Sequence, residues 1–201
     1  MKFLVKSKDS AIFKDGLTYK SGQSAKNKQL REKLLAEQFG FCAYTEEYLH
    51  YNTLCDEVEH FDATKKGSDD YFNYYTVSRY ANQRKMKIDK KKTFSGAAFF
   101  STLFFQKIGE FKSRIRYLDG FYTEINPDDT EAKHFIDYLG FNDEIIVNKR
   151  KNTVRRLKST LSSFSRDEQI EYFRTDGKDI LSFITAIEVE FNITLEEIIT
   201  S

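Results

Sequence analysis

The sequence predicts an α+β fold that is predominantly helical, and three observations predict it. Capped amphipathic runs recur at residues 24–39, 129–139, 142–161 and from 165 to the C-terminus. Strand-like patterning is confined to short pieces around Val58 and across residues 112–125. The chain has one proline, Pro127, and no internal repeat, low-complexity stretch or flexible linker. At 201 residues it is one domain, or one domain with a helical extension. The expected division is a core with its N-terminal lead-in over 1–110, and a hairpin plus helical region over 111–201 packed on that core.

In order, short strands are expected at Phe3–Val5 and Ile12–Tyr19, with Asp15-Gly16 as a turn. Leu30, Leu34, Leu35 and Phe39 share one face of a helix over 24–39, which Gly40 stops. Residues 41–90 form a strand-loop-strand-helix module, anchored by Val58 and Phe61 and turned at Lys65–Asp70. Residues 94–108 are apolar and aromatic; periodicity leaves buried helix and buried strand both open. A hairpin follows over 112–125, with Ile115 and Tyr117 alternating with arginines and Asp119-Gly120 as its turn. Asp128 or Asp129 caps a helix that ends before Gly140, with Phe135, Ile136 and Leu139 inward. Asn142 is the expected cap of the next helix, with Ile145, Ile146, Val154, Leu157 and Leu161 inward. Ser165-Arg166-Asp167-Glu168 reads as a capping box, residues 178–191 as a further helix, and Thr194 as the cap of a short last one.

Composition narrows the function classes. Formal net charge is +1, so the sum does not announce a nucleic-acid binder. The distribution says more. Arg84, Lys85, Lys87, Lys90, Lys91 and Lys92 form one cluster; Lys149, Arg150, Lys151, Arg155, Arg156 and Lys158 form another. Two cysteines, Cys42 and Cys55, make no disulfide framework and suit a reducing cytoplasm. No apolar run approaches membrane-spanning length, and Met1–Lys6 is too charged for a signal peptide. A cytoplasmic protein without a membrane role is expected.

The chemistry-bearing stretch is Glu57–Lys85. Glu59-His60 sit side by side on an apolar-flanked segment; Asn73 and Asn82 follow nine residues apart, and Asn82 opens the first basic run. Hydrolysis of a phosphodiester needs a base for water and a hard cation for the phosphate. Histidine suits the base near neutral pH. Mg²⁺ takes oxygen ligands and often only one or two from protein, here the Glu59 carboxylate and the Asn82 amide. Side chains alternate along a strand, so Glu59 and His60 can share one site only if the strand bends or ends there. His50 and His134 complete no comparable set and read as loop and helix-surface histidines.

This stretch resembles the HNH (ββα-metal, His-Me finger) endonucleases, whose Asp/Glu-His, Asn and Asn/His pattern matches Glu59-His60, Asn73 and Asn82. The resemblance implies a ββα-metal core. It makes His60 the general base, Glu59 and Asn82 the ligands of Mg²⁺ (or Mn²⁺), and Asn73 the brace of the loop holding the histidine. Leu34–Tyr44 and the stretch from Gly120 through Asp129, Asn142 and Arg150 extend it to the Septu-type and retron-associated HNH subunits of bacterial anti-phage systems. Those work beside an ABC/SMC-like ATPase, so such a partner is expected here.

One departure concerns zinc. Many relatives carry two Cys-x-x-Cys knuckles; the matching stretches here are Cys42-Ala43-Tyr44-Thr45 and Ser78-Arg79-Tyr80-Ala81. One thiolate cannot hold a tetrahedral Zn²⁺. No structural zinc is expected, with packing of Phe41, Tyr44, Tyr75 and Tyr80 in its stead. The resulting expectation is a metal-dependent endonuclease, DNA favoured, with Arg84, Lys85 and Lys87 holding phosphates. A catalytically silent adaptor that docks nucleic acid on an ATPase, or an RNase acting on tRNA, are the alternatives.

Overall fold

The computed structural model describes residues 6–49, 56–65, 71–91, 108–176 and 178–200. In chain order the elements are α1 (Ala11–Lys14), α2 (Ser24–Glu37), β1 (Asp56–His60), β2 (Tyr74–Ser78), α3 (Arg79–Lys91), α4 (Ile108–Arg114), β3 (Ile115–Leu118), β4 (Phe121–Glu124), α5 (Thr130–Leu139), α6 (Glu144–Thr160), α7 (Arg166–Thr175), α8 (Ile184–Phe191) and α9 (Glu196–Thr200). Single 3₁₀ turns lie at Ala63–Lys65, Tyr71–Asn73 and Lys178–Leu181. The fold is thus mixed α/β with helices dominant and two small antiparallel sheets. The expected strand at Phe3–Val5, the turn at 66–70 and the apolar run from Phe94 to Phe105 lie outside the described residues, as do His50, Cys55 and Lys92.

The first sheet is the β1–β2 pair, in a register that sets Glu59 opposite Tyr75 and His60 opposite Tyr74. Strand alternation gives it two distinct faces. Val58, Tyr74 and Thr76 turn towards α2: Tyr74 packs with Leu30 and Leu34, and Thr76 Oγ1 donates to Arg31 O. Glu57, Glu59, Tyr75 and Val77 turn towards α3, whose Ala81 and Ile88 join Tyr75 and Val77 in the main core. The outer edge of β2 is closed by side-chain mimicry of a strand. Gln38 Nε2 donates to Thr76 O and Gln38 Oε1 accepts from Thr76 N, both at 2.8 Å. Ala43 N also donates to Thr76 O.

The main core draws on both expected halves of the chain. Leu35, Tyr44, Phe61 and Val77 pack in one cluster with Phe135, Phe141, Ile146 and Phe183. A second cluster joins Phe41 to Leu157, Phe173, Ile187 and Leu195. The turn after Cys42 is tied to α8: the buried Glu46 carboxylate accepts from Thr185 N and Thr185 Oγ1, and Glu46 O accepts from Phe183 N.

Several local expectations hold. Asp119 and Gly120, both at positive φ, turn the β3–β4 hairpin. Asp129 caps α5, which ends at a left-handed Gly140. Ser165 and Glu168 form both bonds of the capping box. Others are corrected. Residues 11–14 are helical rather than extended, because Ser10 Oγ caps Ile12 N and Ile12 is buried against Leu30 and Leu34. Asp143, not Asn142, caps α6. Asn142 instead bridges to β4, accepting from Tyr122 N at 2.8 Å and donating to Tyr122 O at 2.7 Å. Ile145, expected inward, is exposed, since the helix turns its neighbours Ile146 and Val147 to the core and Ile145 away from it. The 178–191 helix is broken at Phe183, whose φ of 68° is left-handed.

Asp129 performs two tasks. It caps Ala132 N at 3.0 Å and accepts two bonds from Arg114, each 2.6 Å, joining α4 to α5. The Arg114 guanidinium holds its carboxyl below the usual carboxylate range. Asp129→Ala is expected to cost about 1–2 kcal/mol in urea denaturation. A depressed folded pKa stabilises fully above the unfolded value, about 4. The contribution is lost as pH falls through the lower folded value. The wild-type and D129A stabilities should therefore converge in strong acid.

Candidate active site

Three of the expected site residues, Glu59, His60 and Asn82, adjoin one cleft along β1. A cleft of about 470 Å³ runs between α2 and α3, lined by all of Asp56–His60. Asn27, Lys28 and Arg31 line it from α2, and Arg79, Asn82 and Met86 from α3. The helical spacings explain the choice: residues 79, 82 and 86 share one stripe of α3, as 24, 27, 28 and 31 do on α2. Strand alternation sends Glu57 and Glu59 to one face and Asp56 and His60 to the other. Both sets reach the same cleft because it lies along the edge of β1 that β2 leaves open. No bend is needed for Glu59 and His60 to adjoin one space; the strand also ends at His60.

His60 is buried between aromatic rings. Tyr74 lies 4.8 Å from it and Tyr19 5.7 Å, centroid to centroid, both edge-on. The segment after it is held by Asn73. Asn73 Oδ1 accepts from Asp62 N at 2.7 Å, and Asn73 Nδ2 donates to Asp62 O at 3.0 Å. Phe61 N donates to Asn73 O as well. The amide extends the ladder one residue past the sheet and sets where the chain leaves His60. Asn73 does not itself line the cleft.

Asn82 is buried in the cleft wall and donates through Nδ2 to Glu57 Oε2 at 2.7 Å. This donation fixes the amide's orientation. Its Oδ1 is buried and has no hydrogen-bond partner among the described residues. Asp56 Oδ1 is in the same condition. Burial pushes the Asp56 carboxyl up, and Arg31, 3.3 Å from Oδ2, acts against that. Glu57 Oε1 accepts from Arg79 Nε at 2.9 Å. Oxygen atoms with unused lone pairs beside carboxylates are the donor chemistry of a hard cation. Among the described residues no three His, Cys, Asp or Glu side chains converge. Mg²⁺ bound by one or two protein groups does not require three.

Four sequence expectations change. Glu59, expected to face a cation, has Oε1 2.9 Å from Lys85 Nζ, with Lys85 only 1 % exposed. Lys85 is therefore the buried counter-ion of Glu59, also near the Tyr138 ring, and not a surface phosphate contact. Arg84 points to another side of α3. Its Nε donates to Asp143 Oδ2 at 3.1 Å, and its Cγ lies close over Gly140. Lys87 is exposed but off the cleft. Helical rotation of 100° per residue scatters a consecutive basic run over every face. The cations that do line the cleft are Lys28, Arg31 and Arg79. A search for basic residues in register on α2, rather than consecutive in sequence, would have found the first two.

The four knuckle positions do come together. Cys42 Sγ accepts from Ser78 N at 3.3 Å, and Ser78 Oγ accepts from Ala81 N at 3.3 Å. Thr45 bonds the same thiol, whose pKa burial pushes up. One thiol, two hydroxyls and a methyl are no zinc donor set. Hydrogen bonds tie these positions together; of the expected aromatic packing, Tyr44, Tyr75 and Tyr80 share the main core cluster, while Phe41 belongs to the second. Tyr44 packs on Phe61, Phe41 on Tyr48, and Tyr80 bonds Asp143 through its hydroxyl.

The Glu59–Lys85 pair makes a direct prediction. Removing either charge alone leaves the other buried, so Glu59→Gln and Lys85→Met should each cost about 3–5 kcal/mol. The double substitution should cost well under the sum in urea melts. Additive losses would show that the two groups do not interact.

Compared with known proteins, no protein-family model, no curated protein and no solved structure matches this chain.

Proposed function

We propose that the chain is a metal-dependent endonuclease of the HNH kind, hydrolysing phosphodiester bonds in nucleic acid, DNA foremost. One observation carries the reading: His60, Glu57 and the buried Asn82 Oδ1, which has no hydrogen-bond partner among the described residues, line a single cleft along β1. The succession of β1, β2 and α3 agrees with the sequence motif.

In this reading His60 takes a proton from water. The water oxygen bonds to phosphorus as the bond to the 3′ oxygen breaks, and the leaving oxygen is protonated from solvent. Tyr74 and Tyr19 limit the imidazole's motion, and Asn73 anchors the segment behind it. Asn82 and a carboxylate of β1 would hold Mg²⁺ or Mn²⁺. Glu57 is the better candidate, because Glu59 is tied to Lys85. The bound cation supplies charge neutralisation at the phosphate and leaving oxygen. Lys28 and Arg79 hold flanking phosphates in place of Arg84 and Lys85. The sequence resemblance further suggests an ABC/SMC-like ATPase as partner in anti-phage defence.

The Glu59–Lys85 pair also favours a second reading, a silent adaptor that binds nucleic acid without cutting it. It takes from the site the carboxylate that the motif assigns to the metal.

Plasmid nicking decides between them. With Mg²⁺ or Mn²⁺ present, and the partner included, nicked circles should accumulate. EDTA should stop this, and His60→Ala should slow it by about 10²–10⁴-fold. Glu57→Gln should lose more activity than Glu59→Gln when rates are scaled to folded protein. Nicking that survives His60→Ala removes His60 from the base role, and no nicking under any of these conditions leaves the adaptor.

A further inference from the structure

Helix α6 carries six cations, and five of them are held by protein groups. Arg150 is buried, donating to Gly120 O and Phe141 O. Lys149 meets Glu47 at 2.7 Å, Lys151 meets Asp119 at 3.2 Å and Lys158 meets Glu190 at 2.6 Å. Arg155 Nη2 donates to the neutral Asn152 amide at 2.9 Å. Among the described residues, no carboxylate lies within ion-pair distance of Arg155 or Arg156. Both are exposed, and both line one cavity of about 700 Å³ together with Lys149, Thr153, Ser159 and Tyr48. Glu47 is the single acid in its wall.

We propose that this cavity, between α6 and the turn before Leu49, holds the sugar-phosphate backbone of nucleic acid, away from the cleft along β1. The inference extends the nuclease reading by giving the substrate a second anchor. Its chemistry is that of phosphate binding: two guanidiniums without an acid, an ammonium beside them, and hydroxyl donors from Thr153 and Ser159. The bond to Asn152 restrains the Arg155 side chain, so less side-chain freedom is lost on binding. Lys149 and Arg156 are seven residues apart on one stripe, about 10 Å along the axis. That is roughly the rise of three nucleotides of one duplex strand, at about 3.4 Å each.

The test is fluorescence anisotropy of the full chain with a labelled 30-base-pair duplex and its single strand. EDTA prevents cleavage, and salt is varied. Arg155→Gln/Arg156→Gln should weaken binding by about fivefold or more and lower the slope of log affinity against log salt by about two. Lys133→Gln/Arg174→Gln removes the same charge from exposed sites elsewhere and should stay within about twofold of wild type. Circular dichroism confirms folding of both. Equal weakening by both pairs, an unchanged salt slope, or no binding by wild type each overturns the proposal. His60-dependent nicking with an unchanged slope sinks this anchor and leaves the cleft reading standing. A slope lowered by two without any nicking does the reverse.

Discussion

The Gln38 amide meets both backbone groups of Thr76, and this decides which edge of the first sheet remains for chemistry. A two-stranded sheet has two outer edges, each a row of polar backbone groups that must be satisfied or exposed. On β2 that need is met from within the fold, by Gln38 at the end of α2 and by Ala43. The edge of β1 is left between two helices. Side chains from both faces of β1 converge there, which a flat sheet buried on both sides does not allow.

Burial then sorts the charged groups. Glu59 and Lys85 are buried together, and their pairing offsets part of the desolvation of each. Such a pair adds little net stability, but it fixes how α3 sits on β1. With Glu59 so engaged, Glu57 and Asn82 form the polar wall of the cleft, and Arg79 orients Glu57 from the solvent side. The hydrogen-bonded set of Cys42, Thr45 and Ser78 locks the start of α3 to the preceding turn. Glu46 locks that turn to α8. The site module and the C-terminal helices consequently share one core, and α6 presents its basic stripe on the same rigid body.

Much of this was legible in the sequence, for reasons that are local. Caps and turns depend on residues within four positions of one another, so Ser165 with Glu168, Asp129 with Gly140, and Asp119-Gly120 could all be read directly. The juxtaposition of Glu59, His60 and Asn82 was legible because a motif encodes spacing across one loop. Asn142 and Ile12 were misread because their partners, Tyr122 and Leu30 with Leu34, lie about twenty residues away. At that range local propensity gives way to whatever the fold brings near.

By itself the sequence determined a mainly helical α+β chain, most of the order of its elements, and the residue types gathered along β1. Only the tertiary structure decided which of those residues adjoin the cleft and which of them a buried partner engages there, as Lys85 engages Glu59. Glu59 and Glu57 are equivalent by alternation, and Arg84 and Arg79 by charge. What separates them is which one lies beneath α3, which lies over Gly140, and which opens to the space before β1. Such distinctions follow from helix rotation and long-range packing, and a linear pattern does not carry them.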